Sequence, residues 1–178
     1  LEGAHLAIEP GERVCLLGRN GTGKTSLLRL IQGDLEPDAG EIARQQGLVT
    51  ALLPQEVPLG LGGTVFDEVA RGLGARAELL AEYHQVSCRL AHEPSEALRA
   101  RLDRLHHTLE VEGGWSTEQE VEAILSRMSL DGEADAATLS AGMKRRILLA
   151  KALVRSPDLL MLDEPTNHLD IGAVDWLE

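Results

Sequence analysis

The segment Gly18-Arg19-Asn20-Gly21-Thr22-Gly23-Lys24-Thr25 has the form G-x-x-x-x-G-K-T, the pattern of a phosphate-binding loop. Its glycines allow the backbone to curl until successive N–H groups point inward at an anion. The flanks fit the motif. Arg13 to Leu17 is a short apolar run that ends at glycine, as a buried strand would, and a helix is predicted from about Lys24 to Gln32. Leu27, Leu28 and Ile31 would face inward on that helix, with Gly33 as its stop. The helix N-terminus adds partial positive charge where phosphates would lie. In this pattern Lys24 reaches the outer phosphates and the Thr25 hydroxyl ligates Mg2+.

Working outward, residues 4–9 alternate in character and read as a half-buried strand, and Pro10-Gly11-Glu12 as a turn. Residues 36–42 read as a turn entering a strand, and Leu48 to Leu53 as another strand closed by Pro54. The middle of the chain is polar and helical. Leu79, Tyr83, Val86 and Leu90, then Leu98, Leu102, Leu105 and Leu109, each follow alternating steps of four and three. Two narrow apolar seams separated by His92-Glu93-Pro94-Ser95 predict an antiparallel helical hairpin ended by Gly113-Gly114. Ser116 to Gln119 matches a capping box, opening a helix that carries Val121, Ile124, Leu125 and Met128. Ser140 caps a further helix to about Val154, which Pro157 stops.

The next apolar run, Leu159 to Leu162, fits a central parallel strand and ends in Asp163-Glu164. Two carboxylates at the end of a buried strand are costly unless they meet a cation or a proton. Beside a phosphate-binding loop, Asp163 is expected to hold Mg2+, mostly through water, and Glu164 to polarise an attacking water as general base.

Composition narrows the class. The chain has 178 residues, of which 43% are apolar, but its aromatic residues are only Phe66, Tyr83, Trp115 and Trp176. The core must therefore rest on Leu, Ala, Val and Ile. No apolar run is long enough to span a membrane and no signal-peptide pattern is present, so a cytoplasmic protein is expected. Cys15, inside an apolar run, reads as a small core residue, and Cys15 and Cys88 make neither a disulfide framework nor a metal site. A net charge of −12 argues against a simple nucleic-acid coat protein.

Three further elements identify a family. Leu139-Ser140-Ala141-Gly142-Met143 resembles the Leu-Ser-Gly-Gly-Gln signature of ATP-binding-cassette (ABC) ATPases. Gln55, after Leu52-Leu53-Pro54, resembles their Q-loop glutamine, and Asp163-Glu164-Pro165-Thr166-Asn167-His168-Leu169-Asp170 their Walker B end and D-loop. The motifs stand in the cassette's order across nearly the whole chain. The resemblance implies an α/β P-loop fold with a mostly parallel central sheet, an N-terminal antiparallel β portion and a helical subdomain carrying a hairpin arm. It divides the chain into a catalytic core at 1–55 and 155–178 and a helical subdomain at 56–154, with the arm at about 75–112. It further implies that Gly18, Asn20, Gly21, Thr22, Gly23, Lys24, Thr25 and Ser26 hold ATP, and that Thr25, Gln55 and Asp163 serve Mg2+. Glu164, Lys24 and Gln55 would be the catalytic set. Two cassettes, in one chain or as a homodimer, would face each other head to tail, with Ser140 and Gly142 of each touching the γ-phosphate bound by the other, and Asp170 contacting the opposite cassette.

The spelling Asn167-His168 resembles the F subfamily, soluble twin-cassette proteins that act on ribosomes, where many transporter cassettes have Ser-Ala-Leu-Asp. The stretch between Gln55 and Leu139 is longer than a transporter cassette's helical insert, and its excess resembles the F-subfamily arm. The implied function is a ribosome-associated ATPase of translation. The competing readings are the ATP-binding subunit of a membrane transporter and a non-catalytic cassette scaffold. Arg76, Arg89, Arg99, Arg101 and Arg104 of the arm are balanced by Glu78, Glu82, Glu93, Glu96 and Asp103, so an RNA contact and a solvated helix pair both remain open. Lys144-Arg145-Arg146 is open between a nucleotide or RNA contact and a solvated helix face, while His106-His107 reads as surface. Gly72-Leu73-Gly74-Ala75-Arg76-Ala77 formally fits a dinucleotide fingerprint but follows a predicted helix rather than a strand. Ala141 and Met143 depart from the signature. An adenine-stacking aromatic residue and a switch histidine are expected outside residues 1–178, which makes the chain a cassette incomplete at both ends.

Overall fold

The computed structural model describes residues 3–55, 61–112 and 114–164. Helix α1 (Lys24–Gln32) follows the phosphate-loop segment and ends where predicted: Gly33 adopts φ 96°, and the N–H groups of Gly33 and Asp34 both donate to the Arg29 carbonyl. Strand β1 (Thr50–Leu53) pairs in parallel with β2 (Leu159–Leu162), Thr50 opposite Leu159 and Leu53 opposite Leu162. Both are short apolar runs of the kind a covered parallel pair demands. The ladder is anchored at its entrance by Asp158, whose carboxylate accepts from Val49 N at 2.9 Å.

Between the two strands lies the helical part: α2 (Val65–Ala70), α3 (Ala75–His92), α4 (Glu96–Glu112), α5 (Gly114–Arg127) and α6 (Ala141–Leu153). The core runs through all of them. Leu53 from the sheet, Val65 and Val69 from α2, Leu80 from α3, Leu109 from α4, Val121 from α5 and Ile147 and Leu149 from α6 are fully or almost fully buried in one cluster. Helices α3 and α4 form the expected hairpin, broken at 93–95, with Arg101 reaching back to Glu82 (Nε–Oε1 2.9 Å) and Tyr83 facing His106. The 3-10 turn Arg71–Leu73 and the last turn of α6 come so close that only glycine fits at position 72: a Cβ there would stand 2.2 Å from the Lys151 carbonyl oxygen. This packing role, after the helix formed by 65–70, explains the glycine that mimicked a dinucleotide fingerprint.

Other expectations are corrected. Residues 4–9, 13–17 and 36–42 form no strand among the described residues, so the expected N-terminal antiparallel β portion is not seen there, while the expected α/β fold with a parallel sheet holds. Alternation marks which side chains a strand could bury, but a strand exists only where a neighbour accepts its ladder bonds. None of the described segments does so here, and Leu6, Val14 and, at 90% exposure, Leu17 face outward. Cys15, expected in the core, is exposed for the same reason. Helix α5 begins at Gly114, ahead of the predicted box at Ser116, which lies inside it. Arg145 is among the most deeply buried side chains, so it lies on no solvated face, while its neighbour Lys144 donates to the Ala137 carbonyl at 2.7 Å.

Candidate functional site

The parallel register of β1 and β2 brings two loops out of the sheet side by side, at the carboxyl ends where open α/β sheets bind ligands. Gln55 lies two residues beyond Leu53, and Asp163 and Glu164 follow Leu162 directly. The Asp163 N–H still donates to the Leu53 carbonyl at 3.0 Å, which fixes the start of the loop. From the other side, α1 presents its first turn. There the Thr25 hydroxyl donates to Asp163 Oδ2 at 2.7 Å, linking residues 138 positions apart. Beside that contact, Gln55 Nε2 donates to Glu164 Oε2 at 2.8 Å. Four of the predicted residues therefore converge on one spot.

The phosphate-loop segment is folded on itself. Gly21 and Gly23 take positive φ values of 80° and 94°, the left-handed region that favours glycine. Thr22 Oγ1 donates to the Arg19 carbonyl at 2.8 Å, and Lys24 Nζ donates to the carbonyls of Gly18 (2.8 Å) and Arg19 (3.0 Å). The Lys24 ammonium is thus already held over the loop by the loop's own acceptors. Sequence reasoning had not singled out Arg19, whose carbonyl is the hub of these contacts. A backbone acceptor leaves no residue-type signal. Gly18 has a packing reason of its own, since a Cβ there would stand 2.8 Å from Thr22 Oγ1.

Asp163 is only 5% exposed. A carboxylate so buried is tolerable because the Thr25 hydroxyl donates to it. Thr25, Asp163, Gln55 and Glu164 offer only oxygen donors and one amide, a hard donor set suited to Mg2+ rather than to a soft metal. Glu164 carries φ 49°, a left-handed backbone that costs a residue with a side chain on the order of 1–3 kcal/mol. Its carboxylate is met there by Gln55.

The signature segment lies elsewhere, at the start of α6. Ser140 is its N-cap, accepting from Met143 N at 3.3 Å, and is exposed. Gly142 is exposed, with nothing within 4 Å of where a Cβ would stand, whereas Met143 packs against the core. The exposed Ala141 methyl leaves the helix start undisturbed. Pro165 to Asp170, including His168, lie outside the described residues.

Comparison with known proteins identifies the family and the fold. The family model for ABC transporters matches residues 1–167. The ATP-binding protein Uup of Haemophilus influenzae is 44% identical over 178 residues, covering 100% of this chain and 28% of that protein. The energy-dependent translational throttle protein EttA of Mycobacterium tuberculosis is 34% identical over 179 residues, covering 100% of this chain and 32% of EttA. The chain thus spans roughly a third or less of the length of these relatives. Among solved structures, cbiO1 of Clostridium perfringens, part of the transporter complex cbiONQ, superimposes with a TM-score of 0.55 at 22% identity, covering 90% of this chain and 57% of that one, a likeness of fold. Among the described residues no helix is long and apolar enough to cross a membrane. A phosphate loop joined by Thr25 to a Walker B carboxylate, with a signature helix after a helical hairpin, and these matches together show that the chain belongs to the ABC ATPase family, in its F subfamily.

Proposed function

We propose that this chain binds Mg·ATP on the 18–25 loop and hydrolyses it as one cassette of a head-to-tail pair, in a cytoplasmic protein that acts on the ribosome. The observation that carries the reading is the 2.7 Å contact of Thr25 with Asp163, which joins the two halves of a Mg·nucleotide site. Lys24 exchanges the carbonyls of Gly18 and Arg19 for phosphate oxygens, so its charge moves from neutral acceptors to anionic ones. Thr25 and Asp163 would hold Mg2+, which would supply positive charge to the phosphates. Glu164 takes the proton of the attacking water, and Gln55, donating to Glu164 Oε2, orients that carboxylate. Ser140 and Gly142 are exposed at a helix N-terminus, the right place to meet a γ-phosphate held by a second cassette. The division into a catalytic core (1–55, 155–178) and a helical subdomain (56–154) follows the same reading. The name of the Mycobacterium tuberculosis relative, a translational throttle protein, supports the ribosomal assignment.

The test is ATP turnover and ribosome co-sedimentation of the intact protein beside its Glu164→Gln variant. General-base loss predicts turnover about 10²–10⁴-fold lower, and the trapped variant is expected to pellet with ribosomes in ATP. Equal turnover in the two proteins removes Glu164 from catalysis, and a trapped variant that stays in the supernatant removes the ribosome.

A further inference from the structure

Away from the nucleotide site, α3 carries His84 and Cys88 one helical turn apart, on the side facing the loop that holds Glu133. Their donor atoms lie close together: His84 Nε2 to Glu133 Oε1 is 3.1 Å, Cys88 Sγ to Glu133 Oε2 is 3.6 Å, and Cys88 Sγ to His84 Nε2 is 3.9 Å. Tetrahedral zinc with ligand bonds of about 2.0–2.3 Å sets its donors about 3.3–3.6 Å apart. We propose that His84, Cys88 and Glu133 form a binding site for a divalent cation of the zinc class, with water as the fourth ligand.

The surroundings are built for the role. The His84 ring stacks on Phe66 with centroids 4.5 Å apart, which fixes its plane. Its Nδ1 faces Asp67 Oδ1 at 3.5 Å, so Nε2 is the nitrogen turned to Cys88 and Glu133. A carboxylate behind the imidazole is the usual outer partner of a metal-bound histidine. Asp67 is itself held: Oδ2 accepts from Thr64 N at 3.1 Å, and the Asp67 N–H donates to the Thr64 hydroxyl at 3.1 Å, a capping box at the start of α2. Asp67 Oδ1 and His84 Nδ1 are buried atoms without a well-formed hydrogen bond, a pairing that a cation on Nε2 would tighten by polarising the ring. Glu133 is 70% exposed on its side chain, free to turn one oxygen toward a metal, yet its backbone is fixed by donation to Asp131 Oδ1 at 3.1 Å. The mixed nitrogen, sulfur and oxygen set is softer than the Mg2+ site and matches zinc. Burial and the neighbouring Glu133 push the Cys88 thiol up, so metal binding must displace its proton.

Sequence spacing alone gives no sign of this cluster, because its third member comes from 45 positions away. A cation here would clip the first arm helix to the 131–135 loop, which leads through the 3-10 turn Ala136–Thr138 to the Ser140 cap.

The test is a Co2+ titration of the intact, EDTA-stripped, nucleotide-free protein in a Cys15→Ser background, followed by displacement with Zn2+. The expected result is a thiolate-to-cobalt absorption band with tetrahedral visible bands, the former lost in Cys88→Ser, and affinity at least about tenfold weaker in Glu133→Gln and His84→Gln. Because Glu133 is exposed, its variant keeps the fold, and Zn2+ should slow amide exchange in residues 77–92 and 130–138 of the parent but not of Glu133→Gln. A missing band, parent-like affinity in Cys88→Ser and Glu133→Gln, or affinity lost in Asp163→Asn instead, overturns the proposal.

Discussion

Gly72→Ala puts a methyl where the 3-10 turn Arg71–Leu73 touches α6. The added Cβ would lie 2.2 Å from the Lys151 carbonyl oxygen and 2.8 Å from Val154 Cγ1. The first neighbour is backbone in a helix and cannot rotate away, so the turn and α6 must part by about an ångström. Overpacking of that kind costs about 1–3 kcal/mol, which corresponds to a roughly 5–150-fold change in a local opening equilibrium. Native-state amide exchange of the intact protein reads this locally. Buried Ile147 to Ala150 in α6 should exchange faster by that factor, while exchange in α1 stays at parent values. Exchange in α6 within twofold of the parent would refute the close-packing account of Gly72.

Gly142→Ala is the contrasting case: with open space at its Cβ it should leave α6 exchange unchanged or slower, yet lower ATP turnover at least about tenfold if the signature reaches a phosphate across a cassette interface. Thr25→Val removes the donor to Asp163, leaving a buried carboxylate short of a partner, at about 1–3 kcal/mol. It should raise the Mg2+ concentration needed for half-maximal turnover, and an unchanged Mg2+ dependence would count against the metal assignment. The Glu118 carboxyl is pushed up, first by burial and then by Glu122, so the folded state holds its proton more tightly than the unfolded one. Its contribution is full below the ordinary glutamate range and is lost as pH rises through the raised value. Glu118→Gln should therefore be more stable than the parent to denaturant at neutral pH and no more stable in acid, and a gain of equal size at both would contradict the sign.

What could be read in advance was whatever is local. The G-x-x-x-x-G-K-T run, the helix after it, the stop at Gly33 and the Ser140 cap each depend on neighbours within a turn or two, and all formed, whereas the apolar 159–162 strand formed because residues 50–53 pair with it. Glu164 was legible from the carboxylate pair that ends an apolar strand and Gln55 only through motif order along the chain, and parallel pairing then put them together. The 4–9 and 13–17 segments failed because alternation carries no information about whether a partner strand is at hand. Cys15 went the same way, since an apolar run was mistaken for an apolar environment. The His84–Cys88–Glu133 cluster was beyond a linear reading. The i, i+4 spacing on α3 was the one available hint, and it became meaningful once the 131–135 loop was seen beside that helix.

If the 18–25 loop holds nucleotide as proposed, the self-contact of Lys24 bears on nucleotide exchange. An ammonium with two backbone oxygens to return to is not left bare when product departs, so the free-energy difference between loaded and empty loop is smaller than the strength of the phosphate contacts alone. In the proposed function, residues 18–24 would trade one set of acceptors for another, and release would leave no cation without partners.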